Sequence, residues 1–192
     1  MDEKLWKSLV FDFEKGEENR EKIVQLSRKI IQLSKRAIYA AHRHELNGSL
    51  KIINEMKPEI AQLQKLQKQA SMDAINSVKV AEQEYVEAVG LYHVIKGDSI
   101  PSHISLKISA ESYLLGLCDL VGEIGRLGVH KIIGNDYESA VILQKFVHDL
   151  YGKFMHLNLR NSELRKKVDG VKWELKKMED VILQLKIAGR IK

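Results

Sequence analysis

The sequence predicts an all-α protein, a bundle of about six to seven long antiparallel helices. Apolar residues recur with a period near 3.6 along almost the whole chain, and no stretch alternates apolar and polar residues as a half-buried strand does. Only two prolines occur in 192 residues, of which 44% are apolar and 30% are charged, a composition typical of a mostly helical globular protein. No internal repeat, low-complexity linker or domain boundary is evident, so residues 1–192 are predicted to form a single domain.

Turn and capping residues divide this pattern into successive helices. Gly16 is predicted to separate the first two helices, Asn47-Gly48-Ser49 to end the second, and Gly97-Asp98 to end the fourth. Pro58 lies in the third helix and is expected to bend it or to mark its first turn. The third helix is predicted to run to about residue 70. The other predicted helices cover about residues 2–14, 18–46, 71–96, 105–133, 136–157 and 162–188, with Asn161 and Ser162 capping the last.

Two pairs of acidic residues lie in otherwise apolar helical stretches. Glu84 and Glu87 are three residues apart, and Asp119 and Glu123 are four apart. Each spacing places both carboxylates on one helix face, with Cβ atoms about 5–6 Å apart. Burying such acids among Leu and Val is costly unless a cation or hydrogen bonds compensate them. Because divalent cations such as Mg²⁺ prefer oxygen ligands, the pattern predicts a metal site.

Structural ion pairing is the alternative explanation of these acids. Arg126 lies one turn beyond Glu123 and could neutralise it, whereas the apolar residues around Asp119 and Glu84 supply no nearby base. If the two helices pack side by side, the carboxylates could hold one or two Mg²⁺ ions that activate a water and stabilise the leaving oxygen of a phosphodiester. Gly116 and Gly122 flank Asp119 and are predicted to let a partner helix approach closely.

The segment between Glu21 and Glu45 contains six Lys or Arg residues and no acidic residue. Spacings of seven place most of these cations on one helix face. A solvated face is the alternative, although such faces usually mix both signs of charge. A ridge of one sign, more than about 20 Å long, suits the phosphate backbone of RNA or DNA. The predicted RNA-binding residues are Lys22, Arg28, Lys29, Lys35, Arg36 and Arg43.

Several other classes of function are disfavoured. The histidines form no Glu-x-x-His pair, which a carboxylate-bridged di-iron bundle requires, and no serine lies in a nucleophile elbow. Cys118 is the only cysteine, which excludes an intrachain disulfide and favours a reducing compartment. No apolar run approaches the ~20 residues that span a bilayer, and the N-terminus lacks a leader. A cytoplasmic protein without membrane contact is therefore predicted. Anchors of the core or of an interface are predicted at Trp6, Tyr39, Phe154 and Trp173.

Three segments together resemble the translin superfamily. They are Leu26-Ser27-Arg28-Lys29-Ile30, Glu84-Tyr85-Val86-Glu87-Ala88-Val89 and Asp119-Leu120-Val121-Gly122-Glu123, and the resemblance is collinear from about residue 20 to 190. The acidic residues are those of the catalytic type, translin-associated factor X. The resemblance implies a translin-like fold in which Glu84, Glu87 and Asp119 form the catalytic, metal-binding set of a Mg²⁺-dependent endoribonuclease. It implies Glu123 as a further metal ligand and Mn²⁺ as an alternative ion.

The resemblance also bears on assembly. The chain lacks the long insertion between the fourth and fifth helices and the basic N-terminal extension of the eukaryotic catalytic subunit, so it resembles a compact prokaryotic, archaeal type. The family implies a hollow multimer with active sites facing its interior. Long apolar stripes, with tryptophans near both ends of the chain, predict a homo-oligomer larger than a dimer.

The predicted function is Mg²⁺-dependent cleavage of single-stranded RNA inside that assembly. The first alternative is an assembly of the translin kind that binds single-stranded RNA or DNA without cleaving it, in which the acids are structural. The second is a helical scaffold with no nucleic-acid role.

Overall fold

A computed structural model describes residues 2–68, 72–160 and 162–191. Within these ranges the chain consists of helices and their connections, with no strand, which confirms the all-α prediction. None of the described helices is long and apolar enough to cross a membrane. The chain divides into two compact units, Met1–Pro101 and Ser102–Lys192. The helices are α1 (Glu3–His42), α2 (Leu46–Gln67), α3 (Met72–Lys96), α4 (His103–Leu106), α5 (Ala110–Ile133), α6 (Tyr137–Met155) and α7 (Glu163–Ile187).

Helix α1 runs without interruption through Gly16, so the predicted break there is wrong. A single glycine costs a helix only about 1 kcal/mol, and the Glu and Lys residues around it are good helix formers. The helix begins at Asp2, whose carboxylate accepts a hydrogen bond from the backbone N–H of Lys4 at 3.0 Å. Its buried residues begin only at Ile23. The N-terminal part of α1 therefore packs little against the rest of the described chain.

The connection between α1 and α2 lies earlier than predicted. His44 adopts a left-handed conformation with φ of 60°, and its backbone N–H donates to the carbonyl of Ala41 at 2.9 Å. This turn ends α1 at His42, so that Asn47-Gly48-Ser49 falls in the first turn of α2 rather than ending a helix. The Ser49 hydroxyl donates to the Ala37 carbonyl of α1 at 3.0 Å and ties the two helices together.

Helices α1, α2 and α3 pack against one another in the first unit. Fully buried side chains such as Ile30, Met56 and Val86 form its core, and each contributes about 1.5–3 kcal/mol on transfer from water. Pro58 lies in the middle of α2, so its predicted place in the first turn is wrong. The predicted boundary near residues 70 and 71 lies outside the described residues. Gly97, with φ of 79°, follows the last residue of α3 as predicted.

In the second unit the predicted helix over residues 105–133 divides in two. Lys107, with φ of 58°, ends the single turn of α4. Ser109 then begins α5, its hydroxyl accepting a hydrogen bond from the Ser112 backbone N–H at 3.1 Å. Helices α4 and α5 each have their own N-cap residue, whose side chain accepts a hydrogen bond from a backbone N–H group that has no partner within the helix. These separate caps explain the break.

Helices α5, α6 and α7 pack against one another around a second core. Phe154 is 2% exposed and lies in this core as predicted. Ser162 caps α7 by accepting from the Arg165 backbone N–H at 3.3 Å, whereas the second predicted cap, Asn161, lies outside the described residues. Trp6, Tyr39 and Trp173 are 54–61% exposed, so the core alternative is wrong for these three aromatic residues.

Candidate carboxylate site and basic face

Glu84 and Glu87 are half-buried side chains on α3. Tyr85 and Val86 between them are 3% and 0% exposed, and burial raises the pKa of the Tyr85 phenol. The helix packs against α1 and α2 through these apolar residues, which fixes the direction in which the two glutamates point. The structure therefore keeps the predicted pair together on a partly exposed face.

Glu82 is more deeply buried than either predicted glutamate. It is 4% exposed, and its Oε1 lies 3.5 Å from Nε2 of Gln64 on α2. Two helical positions correspond to about 200°, so Glu82 faces away from Glu84. This contact joins α2 to α3 and gives Glu82 a structural role that the spacing of the acidic residues alone did not indicate.

Asp119 on α5 forms an ion pair with Lys167 on α7. The Lys167 ammonium lies 2.8 Å and 2.6 Å from the two carboxylate oxygens, and the side chains of Lys167 and Asp119 are 28% and 33% exposed. The expectation that no base lies near Asp119 is wrong, because the base comes from a distant part of the chain. Sequence reasoning missed Lys167. A signal was present, because Lys167 lies three residues after Leu164 and four before Val171, which places it beside the buried stripe of α7.

Glu123 forms the local ion pair that the sequence predicted. Its Oε2 lies 3.7 Å from Nη1 of Arg126, with the Glu123 side chain 23% exposed. Asp119 and Glu123, the two predicted site residues of α5, thus each lie within salt-bridge distance of a cation from this chain. The predicted close approach at Gly122 is wrong, because Gly122 is exposed and a Cβ added there would contact no heavy atom within 4 Å. Instead α7 lies close to Gly125 and Gly128, through Glu174 and Met178.

Cys118 precedes Asp119 and is 7% exposed. Burial, together with the negative charge of Asp119, raises the pKa of its thiol to about 12. A thiol in this state is neutral at physiological pH and is a poor metal ligand or nucleophile. Cys118 is therefore a packing residue of the second unit.

In the described ranges no three His, Cys, Asp or Glu side chains are already gathered as a metal site. The donor chemistry nevertheless suits Mg²⁺, because the partly exposed side chains of Glu84, Glu87, Asp119 and Glu123 offer only carboxylate oxygens. At Asp119 an incoming ion must compete with the ammonium of Lys167.

The six basic residues predicted to bind RNA fall into two groups. The first group is paired with acids: Lys22 with Glu18 at 2.5 Å, Lys29 with Glu59 at 2.6 Å, and Arg43, just after α1, with Glu45 at 2.6 Å. The second group is exposed and forms no ion pair with any residue that the structure describes. We call this second group the unpaired cations; it consists of Arg28, Lys35 and Arg36.

An open groove lies beside the unpaired cations in the first unit. Its walls include Lys35, Arg36 and Tyr39 of α1, the connecting residue Glu45, and Ile52 of α2. Tyr39 is 57% exposed, and the Arg43 guanidinium carbon lies 5.7 Å from the centroid of its ring. The groove thus combines cations with an exposed aromatic ring.

A family model described as the Translin family matches residues 18–189 of the chain. Translin of Gallus gallus is 38% identical over 82 residues, which cover 43% of this chain and only 36% of that protein. The chain therefore aligns with little more than a third of the length of this relative. Translin-associated protein X of Mus musculus is 26% identical over 226 residues, covering 96% of this chain and 78% of that protein.

Solved structures share the fold over nearly the whole chain. The crystal structure of apo-NeC3PO superposes with a TM-score of 0.89 and 30% identity, covering 96% of this chain and 98% of the other. The structure of an AfC3PO–duplex RNA complex superposes with a TM-score of 0.87 at 21% identity, covering 95% and 97%. These similarities agree with the translin-like helical fold that the sequence predicted.

Proposed function

We propose that this chain, which belongs to the translin family, binds single-stranded RNA, assembles with itself and cleaves the bound strand in the presence of Mg²⁺. The residues proposed to act in cleavage are Glu84, Glu87 and Asp119, with Glu123 as a further proposed metal ligand. The basic residues of α1 and the turn after it are proposed to hold the phosphate backbone. Single-stranded DNA is a second candidate ligand of the same basic face.

The observation that carries the cleavage proposal is the state of Asp119. This carboxylate is one-third exposed and has a cation within 2.8 Å of both oxygens. A carboxylate that is accessible and already binds a cation can exchange an ammonium for a metal ion, because both offer positive charge to the same oxygen atoms. A solved structure with the same fold, a complex with duplex RNA, supports the RNA-binding part of the proposal and does not bear on cleavage.

The chain's own residues would divide the work. Glu84, Glu87 and Asp119 would hold Mg²⁺, which would supply activation of a water and polarisation of a phosphodiester. The unpaired cations Arg28, Lys35 and Arg36 hold phosphates by electrostatic attraction, which releases counterions from the strand. Lys167 neutralises Asp119 when no metal is bound, which lowers the cost of a partly buried negative charge.

The test is cleavage of end-labelled single-stranded RNA by purified protein, with Mg²⁺ or with EDTA. Glu84→Gln, Glu87→Gln and Asp119→Asn keep the side-chain shape and remove the ligand charge. Each should lower the cleavage rate by about 100-fold or more, the scale of losing a preorganised electrostatic contact, while RNA binding persists. Loss of the partly exposed Lys167 pair in Asp119→Asn should lower the free energy of unfolding by no more than about 1 kcal/mol.

Asp149→Asn is the matched control for Asp119→Asn. Asp149 is an exposed residue of α6, and within the described ranges it contacts only His148 as an ion-pair partner, at 3.6 Å, so this variant should cleave as the wild type does. Wild-type cleavage by Asp119→Asn in Mg²⁺, with contaminating nuclease excluded, would show that the proposed catalytic site is wrong.

RNA binding without cleavage is the second candidate function. The ion pair between Asp119 and Lys167 favours it, because a carboxylate held at both oxygens by a lysine already has a structural explanation. This candidate predicts salt-sensitive retention of RNA with no Mg²⁺-dependent cleavage. A scaffold without a nucleic-acid role predicts neither result.

A further inference from the structure

We propose that Tyr39 forms a stacking site for one nucleobase of a single strand, with Lys35 and Arg36 holding the phosphates next to that base. The proposal rests on the RNA-binding part of the proposed function and is independent of cleavage. It assigns to Tyr39 a contact with the base rather than with the phosphate.

The position of Tyr39 on α1 is the first argument. Lys35 precedes it by four residues and Arg36 by three, while Arg43 follows it by four, so all three cations project from the same side of the helix. The Arg43 guanidinium already lies 5.7 Å from the centre of the ring. The ring is thus surrounded by cations. Such groups attract phosphates and interact favourably with the electron-rich face of an aromatic ring.

Exposure is the second argument. The Tyr39 side chain is 57% exposed, whereas Ala37, Ile38 and Ala40 around it are at most 8% exposed. Tyr39 therefore contributes little to the core of the first unit. An exposed aromatic ring is costly in water, and this cost falls when a planar base covers it.

The third argument is the groove itself. Ile52 of α2 and Ala40 provide apolar atoms beside the ring, and Lys35 and Arg36 line the same groove. Proteins that bind single strands combine such a positive groove with aromatic rings on which bases stack. Among the described residues that line the groove, Glu45 is the acid, and Arg43 lies 2.6 Å from it, which limits its repulsion of phosphate.

The experiment compares two strands of equal length and charge. One is a single-stranded RNA with all of its bases, and the other carries abasic residues in place of its nucleotides. Affinity and its salt dependence are measured by fluorescence anisotropy in EDTA, so that no cleavage occurs. Tyr39→Leu removes the ring, and Tyr39→Phe keeps the ring while removing the hydroxyl.

Tyr39→Leu should weaken binding of the base-containing strand by about 5- to 150-fold, the range that one stacked base contributes. It should leave binding of the abasic strand and both salt slopes unchanged, because no phosphate contact is lost. Tyr39→Phe should bind both strands as the wild type does. A 2-aminopurine base in the strand should be quenched by the wild type and by Tyr39→Phe, and not by Tyr39→Leu.

Other outcomes overturn the proposal in distinguishable ways. Equal affinity of wild type and Tyr39→Leu for the base-containing strand removes the stacking site and leaves the proposed RNA binding intact. Equal losses on both strands, or a changed mass by light scattering, show that Tyr39 acts through folding or through a contact between subunits. If the wild type retains neither strand at low salt, the proposed function fails and the stacking site with it.

Discussion

Asp119 and Lys167 form the contact in which structural and catalytic explanations differ most. The ammonium group satisfies both carboxylate oxygens, yet both side chains remain about one-third exposed. An ion pair in such a position contributes at most about 1 kcal/mol, because water screens it. The proposed metal ion would therefore displace Lys167 at little cost.

Replacing Lys167 with Met removes the competing cation and keeps an unbranched side chain that is one atom shorter. If Asp119 is a metal ligand, half-maximal cleavage should occur at an Mg²⁺ concentration lower by up to about fivefold, which corresponds to the free energy of a partly exposed pair. The measurement is a Mg²⁺ titration of RNA cleavage, with Mn²⁺ binding followed by electron paramagnetic resonance.

Lys166→Met is the control, because Lys166 is the neighbouring exposed lysine of α7. It should leave the Mg²⁺ dependence unchanged. Should Lys167→Met lower the unfolding temperature while the Mg²⁺ dependence stays that of the wild type, Asp119 would be a structural partner of Lys167 and not a metal ligand.

Single residues also show how much of the candidate site the sequence could predict. The contact of Glu123 with Arg126 was predictable, because residues three apart on a helix are neighbours. Lys167 is separated from Asp119 by 48 positions, and their contact depends on how α5 packs on α7. A periodicity analysis finds which face of α7 is buried, but it does not say which residue of another helix that face meets.

At the scale of helices, the helix ends predicted best are those whose backbone conformation favours one residue type. Gly97 ends α3 with φ of 79°, a conformation that glycine adopts without strain. The end of α1 was missed because His44 adopts φ of 60°, which is uncommon for a residue with a side chain. Gly16 was overinterpreted for the opposite reason, since one unfavourable residue does not break a helix of 40 residues.

The two groups of cations near α1 predict different effects on RNA binding. Changing the unpaired cations Arg28, Lys35 and Arg36 to Gln should weaken binding to all sequences and reduce the salt slope by about 0.7 for each lost phosphate contact. The same change at Lys22, Lys29 and Arg43 removes equal charge but should reduce the slope less, because acids already hold these side chains.

The measurement is a titration of single-stranded RNA at several salt concentrations, with helical content checked by circular dichroism. Equal reductions of the slope by the two triple variants would mean that the ion pairs do not restrain the cations. No change in either variant would mean that this face of α1 is only solvated.

At the scale of the whole molecule, the N-terminal part of α1 is the segment whose exposed apolar side chains are least explained by contacts within the described chain. From Glu3 to Glu18 every side chain except Val10 is exposed, and this segment falls almost entirely before residue 18, where the family match begins. Leu5, Trp6, Leu9 and Phe13 are 49–70% exposed and lie within about 100° of one another on the helix. An amphipathic helix is only marginally stable in water when its apolar face is left uncovered. If the chain self-associates as predicted, a second copy of the chain is the partner that covers this face.

Leu9→Glu and Phe13→Glu together should therefore reduce the assembly. Each change places a charge in the apolar stripe, which would be buried without compensation if a second subunit covered it. Light scattering at micromolar concentration should give a mass larger than a dimer for the wild type and a smaller mass for this variant. Ser8→Glu adds the same type of charge outside the stripe and should assemble as the wild type does. A monomeric wild type would contradict the proposed self-association, whereas an unchanged assembly of the double variant would place the subunit contacts elsewhere on the chain.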